Sequence, residues 1–426
     1  MPSVKITKIV TILIASLYGL TACGGNTPND TRPYFVHLSD IHLDTDAVNI
    51  TYGQDTGSTL WQATKTKLQE VITSATPPQF ILYTGDLPAH YACTYPNCYL
   101  PEFDRTDNND NMGTVLNELR QFANLENIPL LYATGNNDSL AGDYHSFADA
   151  QQKTTFSLSA NPSNPFPALN TKSHCGSAPC MVSNPAPTMD YYAAIPIEGL
   201  RVILLNSIIL GAKYYPVDGI SHLHAGNMQM QWFATQLAAA ASNNEKVAIA
   251  MHIPPGLNAY AISQGKGEYW MWAHLPSQDN SWLNQFLTLT ERYQKNIIGI
   301  LYGHTHMDEL RRLYDLNHNY ITAVALAAPG ITPNHYNNPG FKLVFFDEQT
   351  KELMDSITYY TTPNATEWNS YQFSTEFNCP QSYSIFNCLE QMSLTEVNTA
   401  MDRVYTVMHG EPRYNTTPGI EVYTDQ

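Results

Sequence analysis

The stretch Ile297-Ile298-Gly299-Ile300-Leu301-Tyr302-Gly303-His304-Thr305-His306 sets a short apolar run directly against two histidines. The run has the length and β-branched content of a buried strand, and Gly303 marks its end. His304 and His306 stand at i and i+2, so an extended backbone places them on one face. The same construction recurs upstream. Tyr34–Leu38 leads into Asp40-Ile41-His42, and Phe80–Tyr83 into Gly85-Asp86. Pro129–Ala133 leads into Gly135-Asn136-Asn137-Asp138, and Val247–Met251 into His252. Val202–Leu205 is a further run of this kind. Between them lie segments of helical character, Trp61–Ser74, Thr114–Leu125 and Asn227–Ala241, the last with Asn227 as its expected N-cap. Strands alternating with helices predict an α/β fold, in which functional side chains gather beyond the carboxyl ends of the strands.

Taken singly, these motifs mean little. Asp-x-His, Gly-Asp and Asn136 are ordinary turn residues, and His252 before Pro254-Pro255 reads equally well as a loop histidine. Together, five strand ends deliver Asp40, His42, Asp86, Asn136, His252, His304 and His306. That supply of oxygen and imidazole donors suits two divalent transition metals rather than one. Glycine precedes Asp86, Asn136 and His304, where it is expected to let the backbone turn sharply. Asp104–Met112, acidic and Asn-rich, and Leu158–Pro187, rich in Pro, Ser and Asn, read as excursions from the alternation. The second is long enough to cap a site or to be pinned by a disulfide.

The 426 residues are 43% hydrophobic, which excludes global disorder, but only 14% charged, below the ~25% usual in soluble domains. The formal net charge is −17. So acidic a chain argues against a binder of nucleic-acid duplexes. A phosphorylated substrate would need local positive charge, for which bound metal is the natural source.

The first 22 residues carry only Lys5 and Lys8 as charges, followed by the apolar run Ile9–Leu20, too short for the ~20 residues that span a bilayer. Leu20-Thr21-Ala22-Cys23 resembles a bacterial lipobox, with Cys23 as the lipidated residue and 23–32 as a tether. The expectation is an extracytoplasmic lipoprotein, periplasmic or on the cell surface, held to the membrane through Cys23; plain secretion is the alternative. Without that leader the net charge is −19, since two of the 21 basic residues leave with it and no acid does. Six other cysteines form three close pairs, Cys93 with Cys98, Cys175 with Cys180 and Cys379 with Cys388. Six cysteines allow 15 connectivities. Local pairing is the working expectation, since each pair brackets a turn-rich stretch and none has zinc-ribbon spacing.

The five motifs, in this order, resemble the calcineurin-like metallophosphoesterase superfamily, with its pattern D-x-H, G-D, G-N-H-[DE], H and G-H-x-H. Leu38–Asp44, Gly85–His90, His252–Gly256 and Gly303–Glu309 are similar in wording to the acid sphingomyelinase-like phosphodiesterases, as is the tail after Thr361. The resemblance implies a four-layer αββα sandwich at 33–360, a small helical, disulfide-containing C-terminal subdomain at 361–426, and two metal ions. Zinc is the implied metal, with manganese or iron as alternatives. Carried over, Asp40, His42, Asp86 and His306 hold one ion, and Asp86, Asn136, His252 and His304 the other. Asp86 bridges, and a metal-activated hydroxide is the nucleophile. His90 matches the family's general acid. Asp44 and Asp308 are expected to orient imidazoles or cap turns.

Asn137 departs from the family, which usually has His there. Asn cannot protonate a leaving group, so His90 is left as the one matched acid. A phosphate leaving group, with a pKa of ~6, needs little help, whereas an alkoxide needs much. A similar Gly-Asn-Asn-Asp occurs in the superfamily's endopolyphosphatase branch. Only a short tether separates Cys23 from the first strand, which leaves no room there for a saposin-like lipid-lifting domain. The leading expectation is therefore a phosphohydrolase of small substrates, such as nucleotides and nucleotide diphosphate derivatives. The alternatives are a sphingomyelin phosphodiesterase releasing phosphocholine, and a metal-holding binding lipoprotein with little turnover. Aromatics around Trp270–His274 are candidates to stack on a base or a choline head.

Overall fold

The computed structural model of the chain describes residues 31–90, 106–159, 181–267, 269–275, 281–365, 367–411 and 420–423. The leader, Cys23, Cys93, Cys98, Cys175 and Cys180 lie outside these residues. From Arg32 onward the chain forms one compact unit.

The chain opens with β1 (Tyr34–Leu38), α1 (Ser58–Ile72), β2 (Ile81–Tyr83), α2 (Thr106–Leu125) and β3 (Leu130–Tyr132). Then come β4 (Met181–Ala186), β5 (Tyr191–Ile197), β6 (Leu200–Leu204), α3 (His222–Ser242), β7 (Lys246–Ala250) and α4 (Ala259–Ser263). Next are α5 (Trp282–Arg292), β8 (Ile297–Tyr302), β9 (Leu310–Tyr314), β10 (Ile321–Ala327), β11 (Gly340–Phe346) and β12 (Leu353–Tyr360). The tail supplies β13 (Asn369–Gln372), α6 (Phe373–Glu376), α7 (Ile385–Gln391), α8 (Leu394–Val404) and β14 (Ile420–Val422).

Two sheets result, in the orders β13-β12-β11-β1-β2-β3 and β14-β9-β10-β8-β7-β6-β5-β4. β1, β2 and β3 pair in parallel, as do β6, β7, β8 and β10. These central strands are apolar on both faces, which is why they read as unbroken runs rather than alternating ones. Phe35, Leu82 and Leu131 meet Val202, Leu204 and Leu301 between the sheets. Val36, Leu38, Ile81 and Tyr83 face α1 and α2 through Trp61, Leu68, Val115 and Leu119. Ile203, Ile249 and Ile300 face α3 and α5 through Phe233, Leu237, Trp282 and Phe286. The layers are therefore helix, sheet, sheet, helix, as the motif reading implied.

Three local expectations change. α2 begins at Thr106, inside the stretch read as an excursion, with Asp107 in its first turn and Met112 buried. Asn111 is also buried, and its Oδ1 accepts from Thr45 N and Oγ1 (3.1 and 2.7 Å), which gives a polar residue a reason to sit mid-helix. α3 begins after Ser221, so Asn227 is not its cap; its Oδ1 instead accepts from Trp282 Nε1 (3.0 Å). The end of the second excursion is strand β4, paired antiparallel with β5. In the tail, Cys379 and Cys388 form a disulfide, and Ser393 and Glu396 close a capping box on α8. Phe373, Leu389, Met401 and Tyr405 bury in the same core that lies between the sheets.

Candidate active site

The ends of β1, β2, β3, β7 and β8 converge on one edge of the sandwich. The backbone there is unusual. Asp40, His42, Asp86, His304 and His306 all have positive φ, between 45° and 73°. Non-glycine residues rarely hold that conformation, and such strain gathers at functional sites. Of the preceding glycines only Gly85 is left-handed (φ 95°). Gly135 and Gly303 serve space instead: a Cβ on the first would collide with the Asp86 carboxylate, and on the second with Ser39 Oγ.

Asp86 lies at the centre. Its Oδ2 is 3.3 Å from both His42 Nε2 and His252 Nε2. His252 Nε2 is also 3.0 Å from Asn136 Oδ1 and 3.2 Å from His304 Nδ1. On the other side His306 Nε2 is 3.4 Å and His42 Nε2 3.9 Å from Asp40 Oδ1. All seven expected ligands are thus brought together. His42 Nδ1 donates to Pro88 O (3.0 Å) and His252 Nδ1 to Thr84 O (2.7 Å), which turns each Nε2 lone pair toward the Asp86 carboxylate.

This donor set fits metal ions. Nε2 lone pairs turned toward a buried carboxylate need positive charge between them, supplied either by a metal ion or by the rings' own protons. Donors at about 2.0–2.2 Å from one zinc-like ion lie about 3.0–3.5 Å from one another, as most of these atoms do. His42 Nε2 and His306 Nδ1 are buried without a hydrogen-bond partner. Three groups have donor atoms converging closely enough to hold an ion: Asp40, His42 and Asp86; Asp86, His252 and His304; and His42, His90 and His306.

The electrostatics carry the same message. Burial opposes charge on His42 and His252, yet the Asp86 carboxylate holds both imidazoles up at about 9. Asp86 is itself held well below the usual carboxylate range, because those imidazoles outweigh its burial. Burial pushes Asp40 up to about 6. It drives His304 and His306 well below the usual imidazole value, with neighbouring histidines adding to the effect.

Asp138 ties the loops together. Its carboxylate accepts from the backbone N of Asp86 (2.9 Å), Leu87 (2.7 Å) and Gly135 (2.6 Å), and from Tyr132 OH (2.7 Å). Asn137 is buried; its backbone N donates to Asp86 Oδ1 (2.8 Å) and its Oδ1 accepts from Asn136 Nδ2 (2.8 Å). Asp143 Oδ1 accepts a second bond from Asn136 Nδ2 (2.8 Å), and burial raises Asp143 to about 6.

A cavity of about 250 Å³ opens over these residues. Asp86, His90, Asn136, His304 and His306 line it, together with Asp143, Tyr144, Lys213, Asn258, Tyr260, Tyr269 and His335. His90 stacks on His42 (ring centroids 3.8 Å apart) and donates from Nδ1 to Asp55 Oδ1 (2.7 Å). Tyr260, His335 and His306 form a second stack, at 3.7 and 4.0 Å. Tyr269 and Met271 reach the cavity, whereas Trp270 packs edge-on to His274.

Asp55, Asp143, Tyr144, Lys213 and His335 were not anticipated. They come from loops without periodicity, and only the left-handed backbone at Tyr144 (φ 56°) sets one apart. Among the described residues neither Asp44 nor Asp308 orients an imidazole. Asp44 caps a turn, accepting from the backbone N of Asp46 (3.0 Å). Asp308 is buried against Lys342 (2.5 Å), Thr358 (2.9 Å) and Tyr371 (2.5 Å).

The chain is similar to several known proteins. The chain is 26% identical over 328 residues to Sphingomyelinase phosphodiesterase D of Dictyostelium discoideum, covering 75% of this chain and 64% of that protein. It is 27% identical over 383 residues to Cyclic GMP-AMP phosphodiesterase SMPDL3A of Rattus norvegicus, covering 84% of this chain and 75% of the relative. A crystal structure of a dimetal phosphatase from Danio rerio aligns over 81% of this chain and all of its own, at 14% identity and a TM-score of 0.46. The calcineurin-like phosphoesterase family model matches residues 33–308, a span that takes in every strand end described above, and the chain belongs to that family.

Proposed function

We propose that the chain is a two-metal hydrolase of phosphoester and phosphoanhydride bonds in small substrates, such as nucleotides and nucleotide diphosphate derivatives. The observation that carries this reading is the place of Asp86 Oδ2, equally far from His42 Nε2 and His252 Nε2, where one carboxylate can serve two ions. Asp40, His42, Asp86 and His306 would hold one ion, and Asp86, Asn136, His252 and His304 the other. Divalent ions there supply a nucleophilic water near neutral pH and offset charge on the phosphoryl oxygens. Pro88 O and Thr84 O fix the tautomers of His42 and His252, and Asn137 and Asp143 fix the amide of Asn136. His90 delivers a proton to the leaving oxygen from Nε2, while Asp55 holds its Nδ1.

A second reading, a sphingomyelin phosphodiesterase releasing phosphocholine, is favoured by the sphingomyelinase relatives. The Cys379–Cys388 disulfide supports an oxidising, extracytoplasmic setting, with Cys23 as the proposed lipid anchor. Among the described residues no helix is long and apolar enough to cross a membrane. The test is purified protein with zinc or manganese against ATP, a CDP-alcohol, sphingomyelin and a chromogenic phosphodiester. Turnover of the nucleotides ahead of sphingomyelin is expected. A protein that holds two metals per chain and cleaves none of the four would overturn the hydrolase reading.

A further inference from the structure

We propose that Lys213, seated on the face of Tyr144, is a specificity-determining residue of this cavity: it admits substrates with a second anionic group and rejects a cationic head. The inference rests on the hydrolase reading above and decides between its two substrate classes.

Three observations place the residue. Lys213 Nζ lies 4.9 Å from the Tyr144 ring centroid. The Tyr144 ring meets His304 edge-on, with centroids 6.3 Å apart. Lys213 is therefore one aromatic ring removed from the Asp86, His252 and His304 group, and it lines the same cavity as His304 and Asp143. Lys266 lines the same cavity. Among the described residues neither lysine is within ion-pair distance of a carboxylate, although the protein has 38 acidic residues for 21 basic ones. Two exposed lysines without a carboxylate partner among the described residues thus line one cavity and bring positive charge to it in a strongly acidic protein.

The arrangement has opposite consequences for the two substrate classes. A quaternary ammonium is bound by open aromatic faces. Here the face of Tyr144 is already taken by a cation, and a choline head would be repelled by it. A second phosphate in the same place would instead accept hydrogen bonds from Lys213 while the first phosphate lies over Asp86 and His304. Tyr269, whose OH accepts from Asn258 Nδ2 (2.8 Å), lines the same cavity.

The experiment is calorimetric binding to the metal-loaded protein, with α,β-methylene-ADP and phosphocholine as probes, in the wild type, Lys213→Gln and Lys213→Arg. Wild type is expected to bind the diphosphate analogue at least tenfold more tightly than phosphocholine. Lys213→Gln should weaken the analogue about two- to fivefold, the scale of one exposed charge pair, and leave phosphocholine equal or tighter. Lys213→Arg should keep the preference. Equal loss of both probes in Lys213→Gln would make Lys213 a mere support for Tyr144 and overturn the proposal, as would a wild type that prefers phosphocholine. Since binding is read without turnover, failure of the hydrolase reading appears separately, as a wild type that binds but does not cleave.

Discussion

Asp55 holds His90 twice: its Oδ1 accepts from the imidazole Nδ1 at 2.7 Å and its Oδ2 from the backbone N at 2.8 Å. Thr332 Oγ1 lies 3.3 Å from the same Oδ1. A histidine anchored at Nδ1 by Asp55 presents Nε2. Asp55 is therefore a positioning residue for the proposed acid. Asp55→Asn should lower kcat on alkyl phosphodiesters by about 10- to 100-fold and leave KM within about threefold. The loss on a nitrophenyl ester should be at least tenfold smaller. An equal loss on both esters would mean that Asp55 only supports the loop.

The same pair gives a stability prediction. Burial works against the Asp55 charge, but the hydrogen bond and charge of His90 prevail and hold the carboxyl down at about 2. A carboxyl depressed on folding stabilises fully above its unfolded value of about 3.9, and that contribution fades as pH falls toward the folded value. Urea unfolding of wild type and Asp55→Asn should differ by a constant amount between pH 5 and 7, on the order of 2 kcal/mol. The gap should shrink below pH 4. A gap that widens on acidification would contradict the pairing.

Asp86→Ala should cost both metals, since Asp86 is shared between the two ligand groups, and hydrolysis should fall by at least about 10³-fold. Elemental analysis of the purified variant is the check. Two ions retained per chain would show that Asp86 does not bridge. Asp143→Asn is the contrasting variant: it keeps an oxygen for Asn136 Nδ2 and should retain both ions.

His90→Ala should act according to the leaving group. A well-placed general acid contributes ~10²–10⁴-fold, and least where the leaving oxygen departs unaided. The loss on an alkyl phosphodiester should exceed that on a nitrophenyl ester by at least tenfold. His90 also belongs to a group with His42 and His306 that could hold an ion. If it were a ligand, both substrates would fall together and metal content would drop.

What could be read from the chain, and what could not, follows from where each residue sits. The strands were legible because both faces of β1, β2, β7 and β8 are buried, so sequence and burial coincide in uninterrupted apolar runs. The ligands were legible because each directly follows such a run. Asp55 precedes His90 by 35 residues and reaches it only because a loop folds back over the β2 end. Lys213 and His335 likewise carry no local pattern, and their place depends on side-chain packing. The start of α2 was missed for a different reason: its first turns are Asp- and Asn-rich, poor in helix propensity, and are held by Asn111 and Met112 in tertiary contacts. Asn137 could be singled out in the sequence, but its job of holding the Asn136 amide depends on how the two side chains turn toward each other.

That job shapes the final prediction. Asn137 is 1% exposed, and its Oδ1 takes one of the two hydrogens of Asn136 Nδ2 while Asp143 takes the other. Asn136 Oδ1 is thereby turned toward His252 Nε2. Asn137→Leu removes the acceptor without adding a charge, and should lower occupancy of the ion shared with His252 and His304. Asn137→His can still accept from Asn136 through one ring nitrogen and brings an ionisable group next to Asp86. If good leaving groups are the native preference, this substitution should raise hydrolysis of alkyl phosphodiesters, sphingomyelin included, and change nucleotide hydrolysis little. The measurement is kcat/KM on both substrate classes, read beside metal content for wild type, Asn137→His and Asn137→Leu. A wild type that already cleaves sphingomyelin faster than nucleotides would end the leaving-group argument, because His90 alone would then suffice for an alkoxide.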